Sequence, residues 1–198
     1  SLSDVLWGRK KMEEAKKAEY QLMKFSKIKH KDTAALCWSD VKLSSSLTIL
    51  DWKDGDGLAI ELHNNLMAYM SDRHSTFPTR FAQVILAAGL NKPCIRDEIY
   101  VQCIKQVTGN RNGASASKGW QMLCLCVNTF GPSKEFDLYL LHFLLHCHAS
   151  KDSVFSDAEQ RIMKGCARYC LRMLDSAECH SGLLPSIAEI QSYKTASP

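Results

Sequence analysis

The sequence predicts an all-α fold, a single irregular helical bundle of about seven to nine helices. Helical signals recur about every twenty residues along the chain, and no period-2 apolar run is bounded by hairpin turns. The 198 residues are 45% hydrophobic and 23% charged, which suits one domain with one core. Because no internal repeat of fixed period is evident, an irregular bundle is favoured over a helical-repeat array.

Four helices are predicted in the N-terminal half of the chain. The first runs from about Arg9 to Phe25, a stretch rich in helix-forming residues. Apolar residues at helical spacings predict three more, on residues 57–72, 77–90 and 95–109.

Two candidate core helices follow, on residues 119–130 and 136–147. The first is apolar nearly all round, as expected of a buried central helix. The second is also strongly apolar and carries Glu135 and Asp137 near its start, where the helix dipole favours acids. Pro132 separates the two.

The C-terminal part of the chain predicts one long and one short helix. Ser156 and Glu159 form a capping box for a helix that runs to about Leu174. A last short helix is predicted after Pro185.

Motifs for catalysis, cofactors and metals are missing from the sequence. It has neither a phosphate-binding P-loop nor the G-x-G-x-x-G fingerprint. Residues 51–57, DWKDGDG, resemble a calcium loop, but Trp52 and His63 stand where carboxylate ligands are needed, so an inter-helix loop is predicted. His142 and His146 have the spacing of paired zinc ligands without the general-base Glu. We therefore predict no catalytic residue, no cofactor and no metal, and a metal-dependent enzyme is the disfavoured alternative.

Cysteine usage and hydropathy indicate the compartment. Most of the nine Cys residues lie in apolar periodic runs, which is typical of reduced cysteines that fill a core. The sequence has no signal-peptide pattern and no apolar run long enough to span a bilayer. We expect a cytoplasmic protein without a transmembrane segment and, since no initiator Met is present, a fragment of a longer chain.

The positive charge is concentrated at the N-terminal end. Residues 1–31 contain nine Lys/Arg and four Asp/Glu and therefore have a net charge of +5. Residues 32–198 have a net charge of −1, which gives +4 for the whole chain. Such an asymmetry suggests an acidic partner surface.

Two groups of basic residues are the candidate partner-binding residues. The second group has spacings of 3, 4 and 4, which place it on one stripe of the capped helix. Either group could be an ordinary solvated face or a docking surface for a polyanion. Nucleic acid is disfavoured because the charge excess is small and aromatics are not interleaved, whereas an acidic protein tail or a membrane surface fits. The two groups are Lys24, Lys27, Lys29 and Lys31, and Arg161, Lys164, Arg168 and Arg172.

The segment from residue 95 to 140 resembles the core of the myosin tail homology 4 (MyTH4) domain. Residues 44–50 and 66–72 resemble earlier helices of that family, and residues 184–193 resemble its closing segment. The residues that carry the central resemblance are Ile95-Arg96-Asp97-Glu98-Ile99-Tyr100, Gln102, Lys105-Gln106, Thr108, Lys118, Trp120, Met122-Leu123, Leu125-Cys126, Pro132-Ser133 and Tyr139-Leu140.

The resemblance implies a domain organisation and a function. We expect a basic N-terminal helical extension on residues 1–19, a MyTH4-like helical domain on 20–193, and a linker on 194–198 to a missing following domain. Domains of this family occur in tails of unconventional myosins, in calmodulin-binding kinesins and in some Rho GTPase-activating proteins, usually before a FERM domain in the motors.

The function that the resemblance implies is a non-catalytic, cytoskeleton-associated interaction module. It would bind microtubules, through acidic tubulin tails, or acidic cargo segments. The alternative is a structural support module beside a Rho GTPase-activating domain, with little binding of its own.

The charged triplet Arg96-Asp97-Glu98 is expected to be structural. It opens a predicted helix, where acids suit the first turn. We expect Arg96 or Glu98 to join a polar network between helices, one that braces the buried helix beginning at Trp120.

Overall fold

The computed structural model describes residues 2–26, 33–150, 156–175 and 180–193. Its regular elements in these ranges are eight α-helices and four short 3-10 turns, which confirms the all-α prediction. The helices are α1 (Leu2–Ala15), α2 (Gly55–Met70), α3 (Pro78–Asn91), α4 (Arg96–Val107), α5 (Gly113–Thr129), α6 (Asp137–Ala149), α7 (Asp157–Asp175) and α8 (Ile187–Ser192). None of these helices combines the length and the hydropathy needed to cross a membrane.

Helices α4 and α5 form the centre of the bundle. The α2–α3 pair packs against α4 and α5 on one side. On the other side α7 packs against α5, and α6 packs against α7. Helix α5 is buried along nearly its whole length, as its uninterrupted apolar sequence predicts. Helix α1 lies outside, against α6.

The helix predicted on residues 136–147 contributes Phe136, Leu140 and Leu144 to the core, as expected, but it is not the second central helix. Helix α6 buries only one face, through Leu140, Leu141 and Leu144, while His146 at its end is exposed. The second central helix is α4, which is buried from Glu98 to Val107. Its polar side chains enter the core because they find hydrogen-bond partners there, which an apolar pattern does not reveal.

The prediction of one helix from Arg9 to Phe25 is wrong in its extent. Helix α1 ends at Ala15 and is followed by two 3-10 turns, Ala18–Tyr20 and Leu22–Lys24. These turns bring two aromatic rings onto α6. Ring centroids are 5.5 Å apart for Tyr20 and Tyr139. Packing of these rings outweighs the helix propensity of the segment.

Local capping signals are confirmed. In the capping box before α7, the Ser156 N–H donates to Glu159 Oε2 at 2.9 Å, and the Glu159 N–H donates to Ser156 Oγ at 3.3 Å.

Residues 51–57 are not wholly a loop, since α2 begins at Gly55. Asp56 in its first turn accepts the Ser46 N–H at 2.8 Å, so this acid has a structural role.

Candidate functional site

The Glu98 carboxylate lies at the centre of a buried polar network. It is 0% exposed and ties α4 to the segment before α2. Glu98 Oε1 accepts the Leu47 N–H at 2.9 Å, and Oε2 accepts the Thr48 N–H at 2.7 Å and the Thr48 hydroxyl at 2.6 Å. Gln102, one turn later, donates to Oε1 at 2.8 Å. With every lone-pair direction occupied by a protein donor, the carboxylate has a structural role.

The other two residues of the triplet are also structural. Asp97 accepts the Ser133 N–H at 2.9 Å and the Ser133 hydroxyl at 2.6 Å, which fixes the turn before α6. Arg96 Nε donates to the Gly89 carbonyl at 2.7 Å, and its guanidinium lies 5.5 Å from the centroid of the Phe130 ring. The expectation that Arg96 or Glu98 joins a structural polar network is confirmed: Arg96 connects α4 to α3, and Glu98 connects it to the segment before α2. Within the described part of the chain, the hydrogen bonds of Arg96 and Glu98 do not reach α5, the helix that the network was expected to brace.

Helix α7 presents the second group of predicted basic residues on its outer face. Arg161, Arg168 and Arg172 are exposed, and Lys164 is half-buried. The opposite face is buried against α5 through Met163, Cys166, Ala167 and Cys170. We call the four basic residues the α7 stripe. The structure therefore brings these four predicted residues together on one outward face.

The first group of predicted basic residues is described only in part. Lys24 is exposed in the 3-10 turn Leu22–Lys24, which contacts α6. Lys27, Lys29 and Lys31 lie outside the described residues. The grouping of these four lysines as a partner-binding site stays a prediction.

A groove beside the α7 stripe was missed by the sequence analysis. It has a volume of about 180 Å³ and lies where α1, α6 and α7 meet. Arg168 and Arg172 line it together with apolar side chains, among them Met12, Leu141 and Leu171. The groove depends on contacts between residues more than 120 positions apart, so no local signal could have indicated it.

Several contacts hold α1 at this groove. Lys11 forms an ion pair with Asp137 at the start of α6. At the C-terminal end of α1, the Ala15 carbonyl lies 2.6 Å from His142 Nδ1. His142 is thus used in packing α1, and within the described ranges no group of three or more His, Cys, Asp or Glu side chains is placed to hold a metal ion.

Two buried titratable residues, Lys105 and His63, were also missed. Lys105 is 3% exposed and donates to the Cys37 carbonyl at 2.6 Å and to Ser39 Oγ at 2.9 Å. Burial lowers the pKa of its ammonium group. His63 is 0% exposed, and neither ring nitrogen has a hydrogen-bond partner. Burial, followed by the positive charge of Lys105, lowers the pKa of His63 to about 4, so the ring is neutral at pH 7.

The described cysteines are free thiols, and five of them are fully buried. Cys124 lies between α5 and α7, where it contacts the Cys166 carbonyl and the Cys170 sulfur, each at 3.8 Å. Burial raises the pKa of the neighbouring Cys126 thiol well above its ordinary value. Since the thiolate is the reactive form, these residues act as small core hydrophobes.

Comparison with known proteins places this helical bundle in a family. The model of the MyTH4 domain family matches residues 82–192, which is more than half of the chain. The chain belongs to the MyTH4 domain family. The match covers α4 with Glu98, α5 and the α7 stripe, while Leu47 and Thr48, the backbone donors to Glu98, precede it.

The relatives of this MyTH4 domain include myosins. The high molecular weight form of myosin-1 from Acanthamoeba castellanii is 39% identical over 107 residues, which are 54% of this chain and 7% of that protein. Human unconventional myosin-XV is 35% identical over 88 residues, which are 43% of this chain and 2% of that protein. The matched region is a small part of either myosin.

Solved structures share the fold of this MyTH4 domain. The MyTH4-FERM MF1 domain of Dictyostelium discoideum myosin VII has a TM-score of 0.75 and 23% identity, and the likeness covers 94% of this chain and 38% of that one. The human myosin 7b C-terminal MyTH4-FERM domain, in complex with the harmonin-a PDZ3 domain, has a TM-score of 0.62 and 22% identity, covering 86% and 34%.

Proposed function

We propose that this MyTH4 domain is a non-catalytic interaction module of a cytoplasmic, cytoskeleton-associated motor tail. It binds acidic protein segments, either the acidic tails of tubulin or acidic cargo segments, through the α7 stripe. It acts together with an adjacent FERM domain in the parent chain, as the tandem organisation of the structures with the same fold suggests.

The α7 stripe carries this proposal. Arg161, Lys164, Arg168 and Arg172 follow one another along the outer face of a rigid helix, and in the described part of the chain none of them forms an ion pair. Neighbouring like charges spaced three and four positions apart repel one another by about 0.2–0.5 kcal/mol per pair, which Asp157 and Asp175 at the two ends of α7 offset only in part. An acidic partner would relieve this repulsion and add charge-assisted hydrogen bonds.

Binding of this kind is expected to be weak and sensitive to salt. The arginine side chains are exposed, so their attraction to a partner is screened over about 8 Å at physiological ionic strength. Exposed charges raise association rates and select partners more than they add affinity.

Co-sedimentation with microtubules tests the proposal. We expect Arg168→Glu/Arg172→Glu to weaken binding about tenfold at low salt. The matched control is Lys53→Glu/Lys92→Glu, which changes the net charge by the same amount at exposed positions outside α7 and should leave binding near the wild-type level. Microtubule binding that survives both high salt and the α7 substitutions would contradict the electrostatic mechanism. An acidic cargo peptide that binds where microtubules do not would identify the partner as cargo.

A structural support role is the second candidate function, and exposed apolar residues favour it. Phe77, just before α3, is 64% exposed, and Val84 on α3 is 44% exposed. Near α8, the exposed fractions are 73% for Leu183, 45% for Leu184 and 36% for Ile187. The two regions are adjacent, since the Gln83 side chain donates to the Pro185 carbonyl at 3.1 Å. A neighbouring FERM or Rho GTPase-activating domain could cover them. Thermal melts of the domain with and without its native neighbour would reveal this support as a rise in melting temperature.

A further inference from the structure

The groove beside the α7 stripe is bounded by three helices. Helix α7 contributes Leu171 and Leu174, and α6 contributes Leu141. Met12 of α1 supplies the facing wall. The floor is therefore apolar, while the guanidinium-bearing residues of α7 stand at its margin.

Gly8 lies where α1 meets the C-terminal end of α7. This residue is buried, and a Cβ atom at its position would overlap the Asp175 carboxylate at the end of α7. Because Gly8 has no side chain, the backbone of α1 can form the end wall of the groove. The Lys11–Asp137 ion pair then holds the next turn of α1 against α6.

The size and lining of the groove suit one bulky apolar side chain. Its volume is about 180 Å³. For comparison, an engineered cavity of about 150 Å³ with a wholly apolar lining accommodates benzene. A leucine or phenylalanine side chain therefore fits among Met12, Leu141 and Leu171. The charged lining residues are three basic residues and one acid, Lys11, Arg168, Arg172 and Asp175.

Charge surrounds this apolar groove on the α7 side. Arg168 and Arg172 both line it and both are exposed, so residues that flank an inserted side chain would lie beside two guanidinium groups. Residues that dominate binding energy at protein interfaces lie in well-packed, desolvated pockets, and arginine is enriched among them.

We propose that the partner of the α7 stripe is an acidic segment that contains one bulky apolar residue, and that this residue occupies the groove between α1 and α7. The proposal rests on the proposed function and makes it more specific. It favours acidic cargo segments with a leucine or phenylalanine over tails composed of acidic residues alone.

Two synthetic peptides test the proposal by fluorescence anisotropy with the 198-residue chain. One peptide is a run of glutamates, and the other has the same length with leucine at its centre. Although the leucine peptide has one negative charge fewer, we expect it to bind about tenfold more tightly, because the groove removes part of the leucine surface from water.

A pair of variants locates the binding of the leucine. Met12→Lys adds a positive charge inside the groove and should abolish the advantage of the leucine peptide. Gln21→Lys adds the same charge at an exposed position outside the groove and should preserve that advantage. Methyl NMR of the wild type is independent of both substitutions, and the Met12 methyl resonance should shift with the leucine peptide and not with the glutamate peptide.

The outcomes separate the two proposals. Equal affinity of the two peptides for the wild type, with an unshifted Met12 methyl resonance, would overturn the groove proposal and leave the electrostatic function standing. If neither peptide binds at low salt, the proposed function fails and the groove proposal fails with it.

Discussion

Replacement of Glu98 by alanine should strongly destabilise the domain. The carboxylate is 0% exposed and accepts hydrogen bonds from the Leu47 and Thr48 N–H groups and from two side chains. Without it, two buried backbone donors lose their partners. Each unsatisfied donor costs about 1–3 kcal/mol, so the free energy of unfolding should fall by about 2–6 kcal/mol. Domains are commonly stable by only about 5–15 kcal/mol.

Graded variants separate the loss of hydrogen bonds from the loss of volume. Glu98→Gln keeps the size of the side chain but turns an amide NH₂ group toward an N–H or hydroxyl donor. The free energy of unfolding should fall by about 1–3 kcal/mol. Thr48→Val removes one of the four hydrogen bonds while the carboxylate stays, and should cost about 1–2 kcal/mol. In order of decreasing stability, we therefore expect the wild type, Thr48→Val, Glu98→Gln and Glu98→Ala.

Urea denaturation followed by far-ultraviolet circular dichroism measures these differences. In a thermal melt of the same samples, 1 kcal/mol corresponds to about 2–4 °C for a domain of this length, so the melting temperature of Glu98→Ala should lie at least about 4 °C below that of the wild type. If Glu98→Ala unfolds at the wild-type urea midpoint with an unchanged m-value, the network does not stabilise the fold and the structural role of Glu98 is wrong.

Three further predictions concern other contacts. Gly89→Ala should lower the urea midpoint by the equivalent of about 1–3 kcal/mol, because the added methyl would overlap the Phe130 ring. His63 has a folded-state pKa of about 4, below its unfolded value near 6.5, so the stability it contributes is full above pH 6.5 and is lost as the pH falls toward 4. Between pH 7 and pH 4, the free energy of unfolding measured by urea denaturation should fall by about 3 kcal/mol more for the wild type than for His63→Leu. Asp137→Asn removes the ion pair to Lys11 and should speed hydrogen exchange in α1 up to about fivefold, without a change in the global midpoint.

Features set by neighbouring residues could be predicted from the sequence. The start of α7 follows from Ser156 and Glu159, whose reciprocal hydrogen bonds join residues three positions apart. The burial of α5 follows from its uninterrupted apolar residues. The α7 stripe follows from helical spacing alone, once the helix is predicted.

Features set by distant residues could not be predicted in this way. Leu47 and Thr48 lie 51 and 50 positions from Glu98, so the central place of α4 depends on partners that its own pattern does not contain. Helix α1 ends at Ala15, and Tyr20 beyond it packs on α6, while the groove brings Gly8 close to Asp175 at the far end of α7. The resemblance to the MyTH4 family predicted the fold class but neither of these contacts.

The motif that identifies the family and the surface proposed for binding differ in what constrains them. Arg96, Asp97 and Glu98 each hold a defined partner inside the fold, so a change at any of them disturbs packing. Arg168 and Arg172 have no ion-pair partner among the residues described, and the same helix could pack on α5 with neutral residues in their place. The described acids at helical spacing from the stripe, Asp157 and Asp175, lie only at its two ends, so the like charges between them are the feature that binding to an acidic partner would explain.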